Sequence, residues 1–300
     1  MIDMNNTGMK RAALINDLSC MGKCSLSVAL PIISACGAEA VPLPTAVLST
    51  HTAADLVGSE MCIRDRTKDM EAIIAHWKTL GLKFDCIYTG FFASLEQIET
   101  AGQFIRDFGS EKCLVIVDPV LGDNGELYGC FDDSFVSAMR HLCNLADVIT
   151  PNMTEAALLT GCPADTPAWE LMAALDTENV IITGVRRGAD VGYIARFGAE
   201  TMEIYKPHVD MMLHGTGDVF CSAFCGETLR GRSMPAALEA AADFCDECIK
   251  ETIKRRPSHW YGLAFEEILR RRLFDNEQRN NRKGSVPVVR KPSGAEKHKH

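Results

Sequence analysis

The stretch MLHGTGDVFCSAF, residues 212–224, combines a glycine-rich turn with the beginning of an apolar helix. Gly215, Thr216 and Gly217 come directly before Asp218, and small and apolar residues follow. Backbone N–H groups in the first turn of a helix have no acceptor within the helix, and glycine lets an anion approach them closely. The stretch therefore predicts a cradle for a phosphate oxygen at the beginning of a buried helix.

Asp218 is a candidate catalytic base in that first turn. A carboxylate there can take the proton from a hydroxyl group that attacks a phosphate. The same carboxylate could instead only complement the positive end of the helix dipole. Because Gly-x-Gly-Asp is a short motif, it leaves both interpretations open.

Short apolar runs alternate with segments of helical periodicity along most of the chain. The runs are AALI (12–15), FDCIYTG (84–90), CLVIVDPV (113–120), DVITPN (147–152) and NVIITG (179–184). Helical spacing is found in 70–81, 95–108, 134–145, 169–175, 218–230 and 234–255. This alternation predicts parallel βαβ units, with a sheet covered on both faces because its strands are almost continuously apolar. Alternating polar and apolar residues at 191–209, around Gly198, predict an antiparallel hairpin at the sheet edge.

The composition is typical of a globular protein that binds small molecules. With 300 residues, of which 47% are hydrophobic, the chain can bury one large core. Its net charge of −9 disfavours nucleic acid and anionic membranes as partners, and no apolar run is long enough to span a membrane. The 13 cysteines are scattered and complete no zinc pattern, so we expect free thiols. We expect one cytoplasmic domain over residues 1–273 and a disordered polar tail at 274–300.

Polar residues follow three of the predicted strands, at the positions where ligands bind in open α/β sheets. Asp118 follows CLVIV, Asn152 and Glu155 follow DVITP, and Thr183 closes NVIIT. Either carboxylate taken singly is typical of a cap or a turn. Together, at neighbouring strand ends, they would suit Mg²⁺, which takes few protein oxygens along with water and substrate phosphates.

Six segments together resemble the pyridoxal/pyridoxamine kinases, the vitamin B6 kinases of the ribokinase-like superfamily. They are INDLSCMGKCSLSVALPIISACG (15–37), PLPTAVLSTHT (42–52), YTGFF (88–92), VDPVLGDNGELY (117–128), ITPNMTEAALLTG (149–161) and HGTGDVF (214–220). The resemblance implies a three-layer α/β/α sandwich with a central, mostly parallel sheet and an antiparallel edge hairpin. It also implies a homodimer that uses ATP and Mg²⁺ to phosphorylate the 5′-hydroxymethyl group of pyridoxal, pyridoxine or pyridoxamine.

The resemblance assigns a role to each matched residue. Asp218 resembles the catalytic base of the family, and the backbone of Gly215, Thr216 and Gly217 resembles its anion hole. The contacts to the nucleotide and to the metal-bound waters are matched by Asp118, Asn152, Glu155 and Thr183. The pyridine pocket is matched by Asn16, Asp17, Ser19, His51 and Phe91. Whether a monovalent cation assists the reaction stays open.

One segment departs from the family pattern. Family members continue the His-Thr pair into a stretch rich in glycine and aromatic residues that helps to cover the substrate, whereas this chain reads HTAADLVGSEMCIRDRTKDM at 51–70. SEMCIRDR (59–66) has the look of a translated sequencing-adapter fragment, and ordinary divergence of a loop is the alternative. The departure predicts an intact fold and phosphate site with an impaired cover over the substrate.

Two other functions stay open. A hydroxymethylpyrimidine kinase of thiamine synthesis would use the same phosphate machinery, although the NDLSC…GKCS opening favours the B6 kinases. A catalytically impaired relative would keep the fold and bind pyridoxal or nucleotide without transfer. The GKCS segment (22–25) lacks the glycines of a dinucleotide-binding motif or a P-loop, which disfavours those two nucleotide sites.

Overall fold

A sheet of nine strands lies at the centre of the protein in this computed structural model, which describes residues 8–50, 63–211, 213–255 and 261–275. In chain order the strands of the described ranges are β1 (Arg11–Met21), β2 (Glu39–Thr50), β3 (Ile63–Asp65), β4 (Cys86–Thr89), β5 (Leu114–Val117), β6 (Gly122–Asp123), β7 (Glu126–Leu127), β8 (Val148–Ile149), β9 (Asn179–Arg187), β10 (Asp190–Phe197) and β11 (Glu200–Pro207). Strands β6 and β7 form a separate antiparallel ribbon beside the main sheet.

Across the main sheet the strand order is β11-β10-β9-β8-β5-β4-β1-β2-β3. The neighbours from β2 to β9 are parallel, whereas β3 and the β10–β11 hairpin are antiparallel at the two edges. Parallel neighbours need crossover connections, and helices supply most of them here. The predicted mostly parallel sheet with an antiparallel edge hairpin is confirmed.

Helices cover both faces of this sheet. They are α1 (Leu26–Ala35), α2 (Thr67–Leu80), α3 (Leu95–Phe108), α4 (Asp133–Cys143), α5 (Met153–Thr160), α6 (Ala168–Ala174), α7 (Thr216–Leu229), α8 (Met234–Lys254) and α9 (Phe265–Arg270), with a π-helical turn at Arg271–Asp275. Within β1, Ala13 and Ile15 join a core cluster under α2 to α6, whereas Ala12 and Leu14 join a cluster under α1, α7, α8 and α9. This alternation follows from the two-residue period of a strand, and it confirms the three-layer sandwich.

Local sequence signals set the ends of several helices. The Asp132 carboxylate accepts hydrogen bonds from the backbone N–H groups of Ser134 and Phe135, both at 3.0 Å, and thereby caps α4. Gly81 and Gly161 end α2 and α5 with φ of 61° and 72°, a left-handed conformation that glycine adopts readily. These caps fix the residue at which α4 begins and the residues at which α2 and α5 end.

The remaining expectations concern the ends and the surface of the fold. None of the helices in the described ranges has the length and apolar character needed to cross a membrane. The twelve cysteines within those ranges are free thiols, as predicted. Residues 51–62, which hold most of the atypical segment, and residues 276–300 of the predicted tail lie outside the described residues.

Candidate active site

The turn before α7 has a backbone that only glycine fits. Gly215 has φ of 75°, and a Cβ built on it would overlap the carbonyl oxygen of Lys23. The first intrahelical bond runs from Val219 N–H to the Gly215 carbonyl at 3.0 Å. The N–H groups of Thr216 and Gly217 come earlier in the helix and have no intrahelical acceptor, so they are placed to donate to an anion.

Asp218 lies half-buried in this first turn, next to two other carboxylates. Burial raises the pKa of Asp218 to about 8, and the negative charges of Asp118 and Asp17 add to that rise. The backbone N–H of Ser25 and the side chain of Asn16 act in the opposite direction. A carboxylate whose pKa lies near neutral pH is well matched to accept a proton from an alcohol.

Asp118 and Glu155 form a second acidic group at the ends of β5 and β8. Burial raises the pKa of Asp118 to about 7, while the Cys221 thiol, 3.6 Å from Asp118 Oδ2, and the Thr150 hydroxyl lower it. The pKa of Glu155 is raised by burial first and by the charge of Asp118 second. The two carboxylates therefore repel one another when both are ionised.

Glu155 is also part of a capping box at the beginning of α5. Its Oε2 accepts from Asn152 N–H at 2.7 Å, and the Asn152 side chain accepts from Glu155 N–H at 2.9 Å. Its Oε1 accepts from Leu121 N–H at 3.3 Å. The interpretation of Glu155 as a cap is thus confirmed, and the cap fixes the carboxylate beside Asp118.

The Asp118–Glu155 pair fits a magnesium ion held mainly through water. Within the described part of the chain, no group of three or more His, Cys, Asp or Glu side chains forms a complete metal cage. Mg²⁺ does not need such a cage, because it keeps several waters and takes one or two carboxylates together with substrate phosphates. A cation beside the pair would also relieve the repulsion that raises both pKa values.

Three of the predicted pyridine-pocket residues lie within the second half of β1, because the strand continues past AALI to Met21. Asn16, Asp17 and Ser19 are buried, and Ser19 Oγ donates to Asp17 Oδ2 at 3.1 Å. Asn16 Oδ1 accepts from Asp17 N–H at 2.9 Å and from Phe91 N–H at 2.8 Å. Phe91 is therefore brought to the same place from the end of β4, whereas His51 lies outside the described residues.

A cleft of about 740 Å³ opens between the β6–β7 ribbon, α5, α6 and β9. Asn152 and Thr183, two predicted nucleotide contacts, line it and are joined by a parallel bridge between β9 and the beginning of α5. Several other residues that line the cleft were not predicted from the sequence, namely Trp169, Arg186, Arg187 and Tyr205. Arg186 and Arg187 come shortly after NVIITG and could have been predicted as part of the site from that position. Trp169 and Tyr205 could not, because they come from the distant elements α6 and β11.

The raised pKa values predict a stability that depends on pH. In the unfolded chain an aspartate titrates near 3.9, so the folded state of this site binds more protons, and the free energy of unfolding falls as pH rises from about 4 to 8. We expect Asp118→Asn, measured without nucleotide or Mg²⁺, to raise Tm by about 3 °C or more at pH 9 and by only about a third as much at pH 5. Thermal unfolding at the two pH values tests this.

The matched control for that experiment is the exposed Asp176. Asp176→Asn should leave Tm unchanged at both pH values, because an exposed carboxylate gains little from losing its charge. An equal rise in Tm for Asp118→Asn at pH 5 and pH 9 would show that the charge of Asp118 is not the cause.

Comparison with known proteins places this geometry in a family. The phosphomethylpyrimidine kinase family matches residues 33–261 of the chain. A candidate phosphomethylpyrimidine kinase from Bacteroides thetaiotaomicron is 39% identical, with 89% of this chain and 95% of that chain covered and a TM-score of 0.83. In its crystal form with pyridoxal, the TM-score is 0.80.

Two further relatives carry the names of the two competing activities. The pyridoxal kinase of Lactobacillus plantarum is 33% identical, with 90% of this chain and 98% of that chain covered and a TM-score of 0.81. The hydroxymethylpyrimidine/phosphomethylpyrimidine kinase of Bacillus subtilis is 30% identical over 180 residues. The aligned part covers 57% of this chain and 66% of that relative's length. The family match and the shared fold confirm the predicted resemblance, and the chain belongs to the phosphomethylpyrimidine kinase family of the ribokinase-like superfamily, alongside its pyridoxal kinases.

Proposed function

We propose that this protein is an ATP-dependent kinase of vitamin B6, which transfers the γ-phosphate of ATP to the 5′-hydroxymethyl group of pyridoxal, pyridoxine or pyridoxamine. The observation that carries the proposal is the position of Asp218, a carboxylate with a pKa raised to about 8 at the beginning of α7. Asp218 lies close enough to interact with Asn16 and Asp17, in the proposed acceptor pocket, and with Asp118, beside the proposed phosphate site. An alcohol and a phosphate can therefore meet at this carboxylate.

In this proposal Asp218 accepts the proton of the 5′-hydroxyl group as its oxygen attacks the γ-phosphorus. The N–H groups of Thr216 and Gly217 donate to the oxygens of the transferred phosphoryl group, where negative charge is spread in the transition state.

Asp118 and Glu155 would hold Mg²⁺ through water molecules and the phosphates of ATP. When bound, this ion neutralises charge on the β- and γ-phosphates. Asn152 and Thr183 line the adjoining cleft and would orient the nucleotide there. The 740 Å³ cleft lies within the range of about 300–1,000 Å³ usual for small-molecule sites.

The acceptor pocket would be formed by Asn16, Asp17, Ser19 and Phe91, with His51 as a further contact. The buried hydroxyl and carboxylate of Ser19 and Asp17 offer a donor and an acceptor to the polar substituents of a pyridine ring. We favour a B6 vitamer because two relatives with high structural similarity are a pyridoxal kinase and a protein crystallised with pyridoxal. The second candidate is hydroxymethylpyrimidine, since the Bacillus subtilis relative carries that name.

A competition assay separates the two acceptors. The purified chain is given ATP, Mg²⁺ and either one of the three B6 vitamers or hydroxymethylpyrimidine, and the phosphorylated products are quantified. We expect kcat/KM for the best vitamer to exceed that for the pyrimidine by about tenfold or more, the discrimination that a pocket with matched polar groups can supply. A preference for the pyrimidine would identify the second candidate as the function.

A third outcome of that assay concerns the atypical segment at 53–66. Binding of ADP with no phosphorylated product from any acceptor would identify the chain as a ligand-binding relative with an impaired substrate cover. ATP hydrolysis without transfer would point to the same cause, because water would then replace the acceptor at the phosphate.

The resemblance also supports a cytoplasmic homodimer with one kinase domain per chain. Light scattering coupled to size exclusion should then give twice the mass of one chain.

A further inference from the structure

A buried thiol lies between α7 and the acidic group at the ends of β5 and β8. Cys221 comes three residues after Asp218 on α7 and is 1% exposed. Its Sγ is 3.1 Å from Thr150 Oγ1 and 3.6 Å from Asp118 Oδ2, and the single thiol hydrogen is shared between these two acceptors. Among the buried cysteines within the described ranges, Cys221 is the one with a hydrogen bond to a carboxylate.

The backbone of both acceptors is fixed by the sheet. Asp118 N–H donates to the Thr89 carbonyl at 3.0 Å, and Thr150 N–H donates to the Val117 carbonyl at 3.1 Å. These bonds continue the parallel ladders of β4 with β5 and of β5 with β8. Strand pairing leaves the rotamer of the Asp118 side chain open, so the contacts of its oxygens decide where the carboxylate points.

The contacts of Asp118 turn its carboxylate toward the first turn of α7. Oδ2 accepts the thiol bond of Cys221, and a Cβ built on Gly217 would lie 4.0 Å from the same oxygen. Gly217 and Thr216 carry the N–H groups that are placed to bind a phosphate. The thiol therefore holds the carboxylate beside the proposed phosphate turn.

We propose that Cys221 is a positioning residue for the metal, whose thiol holds the Asp118 carboxylate beside the phosphate turn of α7. Because Asp218 lies on the same helix, one rigid element would fix the base, the phosphate turn and the metal carboxylate relative to one another. Without the thiol the carboxylate would populate other rotamers, and metal binding would have to restrict it again. This inference uses the magnesium role of Asp118 and so rests on the proposed function.

Two matched substitutions isolate the thiol contact. Cys221→Ala removes the donor to Asp118. Cys225→Ala, one turn further along α7, removes an equally buried thiol whose partner is Cys86 Sγ at 3.5 Å. Each leaves a cavity of the same size, so both should lower Tm by a similar amount. Cys221→Val fills the space of the thiol without a donor, and it decides if the alanine variant does not fold.

The readout is the effect of Mg²⁺ on nucleotide binding, measured by calorimetry without an acceptor. The Kd of ADP is determined in EDTA and in excess Mg²⁺, and the ratio of the two values reports the coupling between metal and nucleotide. We expect Cys221→Ala to lower this ratio about tenfold, as when a partner of a metal-binding side chain is removed, and to keep the Kd in EDTA within about twofold. Cys225→Ala should change neither value.

A double-mutant cycle shows whether the thiol acts through Asp118. Asp118→Asn should by itself lower the ratio strongly, because the carboxylate that holds the metal is lost. Adding Cys221→Ala to this variant should then lower the ratio no further. Independent losses from the two substitutions would show that Cys221 does not act by holding Asp118.

Two further results would overturn the inference. One is a Cys221→Ala protein that keeps the ratio of the unaltered chain although Asp118→Asn lowers it, which would make Cys221 a packing residue. The other is an equal loss for Cys225→Ala, whose thiol bonds to Cys86. The experiment needs no turnover, so a chain without kinase activity would refute the proposed function and still test Cys221.

Discussion

Asp218→Asn is expected to lower kcat for phosphorylation of the vitamer by about a thousandfold, within the range of 10²–10⁴ that general-base catalysis supplies. Asparagine keeps the size of the side chain and its hydrogen-bonding reach, but it cannot accept the proton of the attacking hydroxyl group. The N–H groups of Thr216 and Gly217 and the pair of Asp118 and Glu155 remain, so the Kd for ADP should stay within about threefold.

The pH profile of the unaltered enzyme checks the same assignment. Because burial and the charge of Asp118 raise the pKa of Asp218 to about 8, kcat/KM should rise with pH and level off above that value. Asp176→Asn is the matched control and should leave the profile unchanged. A variant at position 218 that keeps a tenth of the activity would exclude Asp218 as the base.

Gly215→Ala is the second substitution with a large expected effect, and it acts through the backbone. Gly215 has φ of 75°, and the added methyl group would collide with the carbonyl oxygen of Lys23. Lys23 lies in the loop between β1 and α1, and its N–H donates to the Tyr261 carbonyl at 2.9 Å. We expect the free energy of unfolding to fall by about 2–4 kcal/mol and phosphorylation to become undetectable, because the turn can form only by displacing that loop. Denaturant unfolding and the kinase assay measure the two effects.

Gly217→Ala, two residues further on, is the matched control for this steric argument. A Cβ at Gly217 would meet only Asp118 Oδ2, at 4.0 Å, so the fold should keep its stability. The methyl group would, however, stand where the phosphate approaches the backbone, and kcat/KM should fall about 10- to 100-fold. Full activity of Gly217→Ala would show that the transferred phosphate does not sit on this turn.

Most of the central sheet could be predicted from the sequence because its strands are buried on both faces and therefore continuously apolar. The runs at 84–90, 113–120, 147–152 and 179–184 all contain a strand. Strand β2 was not predicted, since Pro42 and Pro44 interrupt its pattern. Helix α1 was also missed, because it contains Pro31 and its apolar residues are not confined to one face.

The acidic part of the site could be predicted because its residues follow strands or open a helix. Asp118, Glu155 and Asp218 each stand directly after such a signal, and parallel strands bring their carboxyl ends together. The pairing of Asn16 with Phe91 depends on the adjacency of β1 and β4, which only the resemblance to a family supplied. Ser25, directly before α1, has φ of 56°, and the sequence gave no sign of this because a serine does not mark a left-handed backbone as a glycine would.

The most direct test of the proposed function is a single reaction in which pyridoxal 5′-phosphate and ADP are quantified together, with the purified chain, pyridoxal, ATP and Mg²⁺. The proposal predicts equal amounts of the two products, and neither above background with Asp218→Asn. ADP without pyridoxal 5′-phosphate, or equal rates for the two proteins, would contradict it.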